Sequence, residues 1–139
     1  ALSLPTGEAG ATLDVLTFDL FQGVCEVYKA GAAPTYFVRG GRVGCLSAQT
    51  LPLGVLNEVR ASATTLTLAP GDVAVLVSDG MLAAGDTWLQ TELSRNWQRS
   101  AEEIARALLA GAKKRGASHV DDRTVAVAKL IPAGSTQGK

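Results

Sequence analysis

The first third of the chain alternates apolar and polar residues with a period of two, which is typical of half-buried β-strands. Within the first strand, Leu16, Phe18 and Leu20 should share one face. Turns that contain glycine separate the successive segments, so we expect two hairpins that follow each other as a meander. The strands predicted for these hairpins are residues 12–20, 24–30, 35–39 and 42–46.

Further strands are predicted later in the chain. Residues 60–68 alternate again, and an unbroken apolar run from Val73 to Val77 follows them. A β-branched apolar run of this kind predicts a strand that is buried on both faces. The last strand is predicted at residues 124–131, and we expect it to pair beside the Val73–Val77 strand. Residues 51–55 are interpreted as an ordered loop, because Pro52 has no N–H group to donate to a sheet.

Two helices are predicted before the last strand. Residues 87–97 place their large apolar side chains near one side. The next helix begins with a capping box formed by Ser100 and Glu103 and ends at Gly116, after a basic last turn that suits the helix dipole. Six or seven antiparallel-type strands with two late helices indicate an α+β fold, in which the helices pack on a sheet or sandwich.

Composition and charge narrow the possible functions. The chain has 139 residues, of which thirteen are basic and thirteen acidic, so its net charge is zero. A balanced charge argues against binding to nucleic acid or to an anionic membrane surface, because both need a basic footprint. The longest apolar run is about five residues, whereas a membrane-spanning helix needs about 20. Two cysteines are too few for a disulfide scaffold, so we interpret Cys25 and Cys45 as reduced, half-buried packing residues of a cytoplasmic protein.

The chain does not begin with methionine, and its first residues are small and turn-prone. We therefore expect it to be a fragment of a longer protein, in which an upstream region could provide a membrane anchor. In this interpretation residues 1–11 are a connecting segment, residues 12–131 form the C-terminal part of a domain, and residues 132–139 are a flexible tail.

Several kinds of chemistry are excluded by the motifs. The chain has no phosphate-binding loop. A Ser-His-Asp triad remains formally possible, but the chain has no nucleophile-elbow sequence. Its one histidine, His119, excludes a histidine-rich zinc site, and we interpret it as a plain surface residue. Neither cysteine lies in surroundings that would lower the pKa of its thiol, so a thiolate nucleophile is not predicted.

A spaced set of carboxylates remains. Asp79 directly follows the apolar strand and precedes Gly80, and Asp121 and Asp122 stand directly before the last strand. If the two strands are neighbours, these carboxylates converge at one edge of the sheet, where they could bind a hard cation such as Mg²⁺ or Mn²⁺. However, Asp-Gly and Asp-Asp are also common in turns, where Asp bonds its own backbone. The spacing alone leaves both interpretations open.

Five segments resemble motifs of one enzyme family. The segments VLVSDGM and VDDRTVAVAKL resemble two metal-site motifs of the metal-dependent (2C-like) serine/threonine protein phosphatases. Three more are similar to the bacterial branch typified by stage II sporulation protein E, namely Lys29–Val43, Leu46–Val55 and Leu68–Gly80. The likeness runs from about Thr12 to Leu130, and five motifs in the right order and spacing are specific.

The resemblance implies an antiparallel β-sandwich flanked by helices, with a binuclear Mn²⁺ or Mg²⁺ centre at one end. It implies that a metal-bound water hydrolyses phosphoserine or phosphothreonine without a covalent intermediate. By position, Asp79 and Asp121 match metal ligands of the family, whereas Gly80 and Asp122 are expected to support the site or its turn. Arg123 replaces a methionine that is frequent in the family and is expected to point outward. The implied substrate is a phosphorylated regulator similar to an anti-anti-sigma factor.

One family motif is absent. The aspartate that bridges the two metals lies in an early Asp-Gly motif, and no Asp-Gly precedes Asp79 in this chain. We therefore predict that the 139-residue chain alone binds Mn²⁺ weakly and has little phosphatase activity. The alternatives are a catalytically inactive phosphatase-like binding module and a purely structural β domain. Missing strands would also leave an exposed sheet edge, so a homodimer is expected as a possible assembly.

Overall fold

A computed structural model describes residues 12–30, 33–47, 62–116 and 122–133 of the chain. It divides the chain into two compact units, the first formed by residues 1–33 and 47–67 and the second by residues 34–46 and 68–139. The described residues contain seven strands and two α-helices, which confirms the α+β class. The elements are β1 (Leu13–Asp19), β2 (Val24–Ala30), β3 (Thr35–Arg39), β4 (Arg42–Leu46), β5 (Ser62–Thr67), β6 (Val73–Val77), α1 (Thr87–Asn96), α2 (Ala101–Arg115) and β7 (Val125–Lys129).

The first unit contains a three-stranded antiparallel sheet in the order β1-β2-β5. The predicted hairpin between β1 and β2 is confirmed, with Leu13 opposite Ala30 and Asp19 opposite Val24. The buried Lys29 ties this hairpin internally, because its ammonium group contacts Asp14 Oδ1 at 2.6 Å. β1 and β5 are the edge strands of this sheet. The pairing of an edge strand with a second copy of the chain stays a prediction.

The turn between β1 and β2 corrects the predicted position of Leu20. β1 ends at Asp19, whose Oδ1 accepts hydrogen bonds from the backbone N–H groups of Phe21 (3.0 Å) and Gln22 (3.2 Å). Gly23 completes the turn with a φ of 70°. Leu20 therefore lies in the turn and is 77% exposed, and it does not share the inward face of the strand. An aspartate side chain that bonds the following N–H groups ended the strand earlier than the alternation suggested.

The second unit contains a four-stranded antiparallel sheet in the order β4-β3-β6-β7. The hairpin of β3 and β4 is confirmed, but the meander is wrong, because the two hairpins belong to different sheets. A strand order cannot be derived from alternation alone, since every hairpin shows the same period. The apolar strand β6 lies between β3 and β7, and four of its five residues are buried. The expectation that the last strand pairs beside Val73–Val77 is also confirmed.

The two helices pack on this second sheet and on each other, with α1 against β3 and β4 and α2 against β7. The N-cap of α2 is Ser100, whose Oγ accepts a hydrogen bond from the N–H of Glu103 at 3.2 Å. At the other end the N–H of Gly116 donates to the carbonyl of Ala112, as the basic last turn and glycine predicted. The fully buried side chains of the helical layer are Leu89, Leu93, Ile104 and Leu108.

Some sequence predictions fall outside the described residues. These are the connecting segment at residues 1–11, the loop at residues 51–55, His119, and most of the tail at residues 132–139. Among the residues that the structure describes, no helix combines the length and the apolar character needed to cross a bilayer.

Candidate metal-binding edge of the four-stranded sheet

The candidate site lies where β6 ends and β7 begins. The two strands are antiparallel neighbours, and Val77 pairs with Val125. Asp79 comes two residues after Val77, and Asp122 comes three residues before Val125, so both belong to the same edge of the sheet. The predicted placement of Asp79 and Asp122 at one edge of the sheet is thus confirmed, whereas convergence of their carboxylates on one cation stays a prediction. We refer to this edge as the acidic edge.

Ser78 joins the two strand ends through both its backbone and its side chain. Its N–H donates to the carbonyl oxygen of Thr124 at 3.0 Å, and its Oγ accepts from the N–H of Thr124 at 2.9 Å. The hydroxyl group also donates to the carbonyl oxygen of Asp122 at 3.2 Å. These three hydrogen bonds fix the segment before β7 beside Asp79. Ser78 was not predicted as a site residue. Its position, between a buried strand and a candidate ligand, could have indicated a residue that positions the ligand.

Asp79 begins a short 3₁₀ helix, Asp79–Leu82, that turns the chain away from the sheet. Gly80 and Met81 are buried beneath this turn, whereas Asp79 itself is exposed. Within the described part of the chain, no hydrogen-bond donor or basic group contacts the Asp79 carboxylate. Two carboxylate oxygens that the described residues leave unpaired are suitable ligands for a hard cation, which prefers oxygen donors and keeps several waters.

Of the other two aspartates predicted for the site, the structure describes Asp122 but not Asp121. Asp121 lies outside the described residues, and its role as a ligand stays a prediction. Asp122 is exposed, and its backbone carbonyl holds Ser78, which agrees with a supporting role in the turn. Across residues 12–30, 33–47, 62–116 and 122–133 there is no cluster of three or more His, Cys, Asp or Glu side chains that could bind a metal. The role of Asp79 as a ligand also stays a prediction, on a backbone that the hydrogen bonds of Ser78 hold beside the start of β7.

Arg123 corrects a sequence expectation. It does not point outward, because it is half-buried and its guanidinium group donates to the carbonyl oxygen of Gly116. This bond connects the C-terminal end of α2 to the start of β7. Arg123 thus holds the end of α2 close to the acidic edge. The methionine that is frequent at this position in the family has no donor group that could form this hydrogen bond.

The cysteines take no part in this edge. Cys25 is fully buried in β2, and burial, together with the nearby charge of Glu26, raises the pKa of its thiol. This confirms that Cys25 is not an activated nucleophile. Cys45 is exposed, so the expectation that both cysteines are half-buried is wrong for both residues.

Comparison with known sequences identifies the family. The family model described as stage II sporulation protein E matches residues 2–131. A similar curated protein is stage II sporulation protein E of Bacillus subtilis (strain 168), which is 29% identical over 132 residues. This match covers 90% of the present chain but only 16% of the relative.

Solved structures show the same fold. The phosphatase domain of the cell fate determinant SpoIIE from Bacillus subtilis matches with a TM-score of 0.73 and 28% identity, over 89% of this chain and 57% of that one. The catalytic domain of the serine/threonine protein phosphatase PstP, solved in complex with two manganese ions, matches with a TM-score of 0.66 and 20% identity. That match covers 88% of this chain and 60% of the PstP chain. The present chain thus spans less than two thirds of each of these three proteins. It belongs to the stage II sporulation protein E family, as part of a PP2C-type serine/threonine phosphatase domain.

Proposed function

We propose that this chain is the part of a metal-dependent protein serine/threonine phosphatase that carries two of its metal ligands, Asp79 and Asp121. The observation that supports this best is the contrast at the acidic edge between the hydrogen-bonded backbone and the Asp79 carboxylate, which has no partner among the described residues. Ser78 holds the edge through three hydrogen bonds, two donated and one accepted, and none of them uses that carboxylate. A purely structural turn would be expected to pair the carboxylate with its own backbone.

The residues present fit Mn²⁺ or Mg²⁺, because their side chains offer carboxylate oxygens, which such cations prefer. When bound in pairs, these cations polarise a phosphoryl group and lower the pKa of the water that attacks it. The contribution of this chain is to hold Asp79 at the end of a buried strand. Gly80, directly behind it, is buried and contributes no side chain to the edge.

The proposed substrate is a phosphoserine on a small regulatory protein similar to an anti-anti-sigma factor. Membership of the stage II sporulation protein E family supports this substrate class. Release of phosphate would then switch the regulator and, through it, a sigma factor. Manganese is the metal named with the matched PstP structure, and we propose it as the first metal to test.

The function is tested by measuring phosphate release from a phosphoserine regulator by the full-length protein in Mn²⁺, with Asp79→Asn as the variant and Asp122→Asn as its control. We expect Asp79→Asn to abolish turnover, since removal of a ligand carboxylate leaves the metal poorly held. Asp122→Asn should retain most activity, because Asp122 meets Ser78 through its backbone carbonyl. Equal activity in the wild type and Asp79→Asn would overturn the proposal.

The same assay separates this proposal from the inactive binding module. A full-length protein that binds the phosphorylated regulator but releases no phosphate in Mn²⁺ or Mg²⁺ would favour the binding module. For the isolated 139-residue chain we expect little turnover in either case, because no Asp-Gly motif precedes Asp79. Robust hydrolysis by this chain alone would contradict that prediction.

A further inference from the structure

A groove of about 760 Å³ opens in the second unit, between the turn that joins β3 to β4 and the exposed side of α1. Its lining residues come from Gly41–Val43 on one wall and from α1 on the other. We call it the arginine groove, because one arginine from each wall lines it. Its lining consists of Gly41, Arg42, Val43, Thr87, Gln90, Thr91, Ser94 and Arg95.

The two arginines are available for a ligand. Arg42 is exposed, and within the described residues it makes no ion pair. The side chain of Arg95 is 71% exposed, and its Nη1 lies 3.7 Å from Glu92 Oε1, which is too far for a hydrogen bond. An exposed ion pair at this distance contributes little to stability. The contact with Glu92 therefore does not prevent Arg95 from binding a carboxylate of a ligand.

Two carboxylates near the groove, Asp86 at the N-cap of α1 and Glu92 within α1, already accept hydrogen bonds. Asp86 Oδ2 accepts hydrogen bonds from the hydroxyl of Tyr36 at 2.9 Å and from Gln90 Nε2 at 3.3 Å. Glu92 Oε2 accepts from Asn96 Nδ2 at 3.2 Å. Neither carboxylate lines the groove, whose remaining polar side chains are hydroxyls and one amide. The lining is therefore cationic and rich in neutral hydrogen-bonding groups, which complements an acidic ligand.

The groove lies at the end of the sheet opposite the acidic edge. Arg42 pairs with Arg39 across the β3–β4 hairpin. Val38, the residue before Arg39, pairs with the first residue of β6. Asp79, in contrast, comes two residues after the last residue of β6. At about 3.3 Å per strand residue, the two positions are on the order of 20 Å apart. An extended peptide would need roughly six or seven residues to cover that distance. A ligand at the Arg42 end of the groove would thus contact the protein well away from any phosphoryl group at the acidic edge.

We propose that the arginine groove binds an acidic, extended segment of the protein substrate, some residues away from its phosphoserine. The identity of the partner as substrate rests on the function proposed above, but binding of an acidic peptide does not. Arg42 and Arg95 form charge-assisted hydrogen bonds with the carboxylates of this segment, and the α1 hydroxyl groups bond its backbone. The groove increases affinity for the substrate and makes no contribution to the chemical step.

The test measures peptide binding to the metal-free 139-residue chain by fluorescence anisotropy. The probe is a fluorescein-labelled peptide of alternating Asp and Ser residues, and the control peptide replaces each Asp with Asn. The groove variant is the double charge reversal Arg42→Glu/Arg95→Glu. Its matched control is Lys113→Glu/Lys114→Glu, which makes the same change in net charge at exposed positions on α2. Circular dichroism is used to check that both variants remain folded.

We expect the acidic peptide to bind, the Asn peptide not to bind, and the groove variant to lose affinity about tenfold or more. The α2 variant should change affinity by less than about twofold, because its charges lie on another helix and exposed charges are screened beyond about 10 Å. Equal losses in the two variants, equal binding of the two peptides, or no binding of the acidic peptide would each overturn the proposal. The phosphatase proposal is unaffected by any of these outcomes, since no metal and no phosphate are present.

Discussion

Two aspartates flank the buried strand β6, and the chain uses them in opposite ways. Asp72, just before the strand, is only 7% exposed, and its carboxylate accepts hydrogen bonds from the N–H groups of Gly40 (3.1 Å) and Ala69 (2.9 Å). Asp79, just after the strand, is exposed, and its carboxylate meets no donor among the described residues. The same residue type is thus a structural element at one end of the strand and a candidate ligand at the other.

The difference shows how a structural carboxylate is distinguished from a functional one. Where backbone N–H groups converge on a buried carboxylate, each of its oxygens already accepts a hydrogen bond and little of it is accessible to a ligand. Where a neighbouring hydroxyl group holds the backbone instead, as Ser78 does, the carboxylate is left for the solvent or a metal ion. The contrast predicts that changes at Asp72 affect folding and that changes at Asp79 affect binding.

The largest expected effect is on stability at Asp72. Asp72→Ala removes two hydrogen bonds to an ionised acceptor, one from Gly40 and one from Ala69, and we expect a loss of about 2–3 kcal/mol in the free energy of unfolding. The matched change Asp79→Ala should alter the free energy of unfolding by less than about 0.5 kcal/mol, as exposed sites without partners do. Urea denaturation of the metal-free chain measures both. Equal losses in the two variants would show that Asp79 is also structural.

A smaller effect is expected at Ser78, where both roles meet. Ser78→Ala removes the two side-chain hydrogen bonds that join β6 to the segment before β7, and we expect a loss of about 1–2 kcal/mol in the free energy of unfolding. Because these bonds position the neighbours of Asp79, affinity for Mn²⁺ should also fall about tenfold. Calorimetric unfolding and metal titration follow the two effects. Ser94→Ala, at an exposed position on α1, serves as the control and should leave Mn²⁺ affinity unchanged. An unaltered Mn²⁺ affinity in Ser78→Ala would separate Ser78 from the site.

The smallest effect concerns Asp86, a second carboxylate that is used structurally. Burial raises the pKa of Tyr36, and the hydrogen bond to Asp86 and its charge raise it further. A pKa raised in the folded state contributes stability below the ordinary tyrosine pKa of about 10, and this stability is lost as the pH rises above that value. We expect Tyr36→Phe to cost about 1 kcal/mol near pH 7 and to weaken the loss of stability above pH 10.

Denaturation between neutral and alkaline pH compares this variant with Tyr28→Phe. The hydroxyl of Tyr28 contacts Glu26, which is exposed, so removing it should have little effect on stability. If both tyrosine variants show the same alkaline profile as the wild type, Tyr36 does not govern this pH dependence.

The sequence predicted local structure well where one physical signal dominates. The all-apolar character of β6, the capping box at Ser100 and the glycine turn at Gly40-Gly41 each specified an element that the structure confirms. The sequence did not predict which strands pair when the partners are far apart along the chain. Alternation could not reveal that β2 pairs with β5 while β3 pairs with β6, because both arrangements bury the same faces.

For the candidate site too, the features with a local sequence signal were predicted and those that depend on distant residues were not. The position of Asp79 after a buried strand was enough to place it at a sheet edge, and the predicted pairing of β6 with β7 brought Asp122 to the same edge. The inward course of Arg123 depends on a carbonyl group of Gly116 at the end of α2, seven residues earlier, and no local pattern encodes it. The role of Ser78 likewise depends on Thr124, 46 residues away along the chain.

The most direct test of the account is to locate Mn²⁺ on the 139-residue chain by paramagnetic broadening of backbone amide signals, which detects even weak binding. We predict broadening centred on Asp79 and Gly80 that extends to Asp122, that disappears in Asp79→Asn and that persists in Asp122→Asn. Broadening that survives Asp79→Asn at this edge, or that centres on Asp72 at the other end of β6, would contradict the central claim.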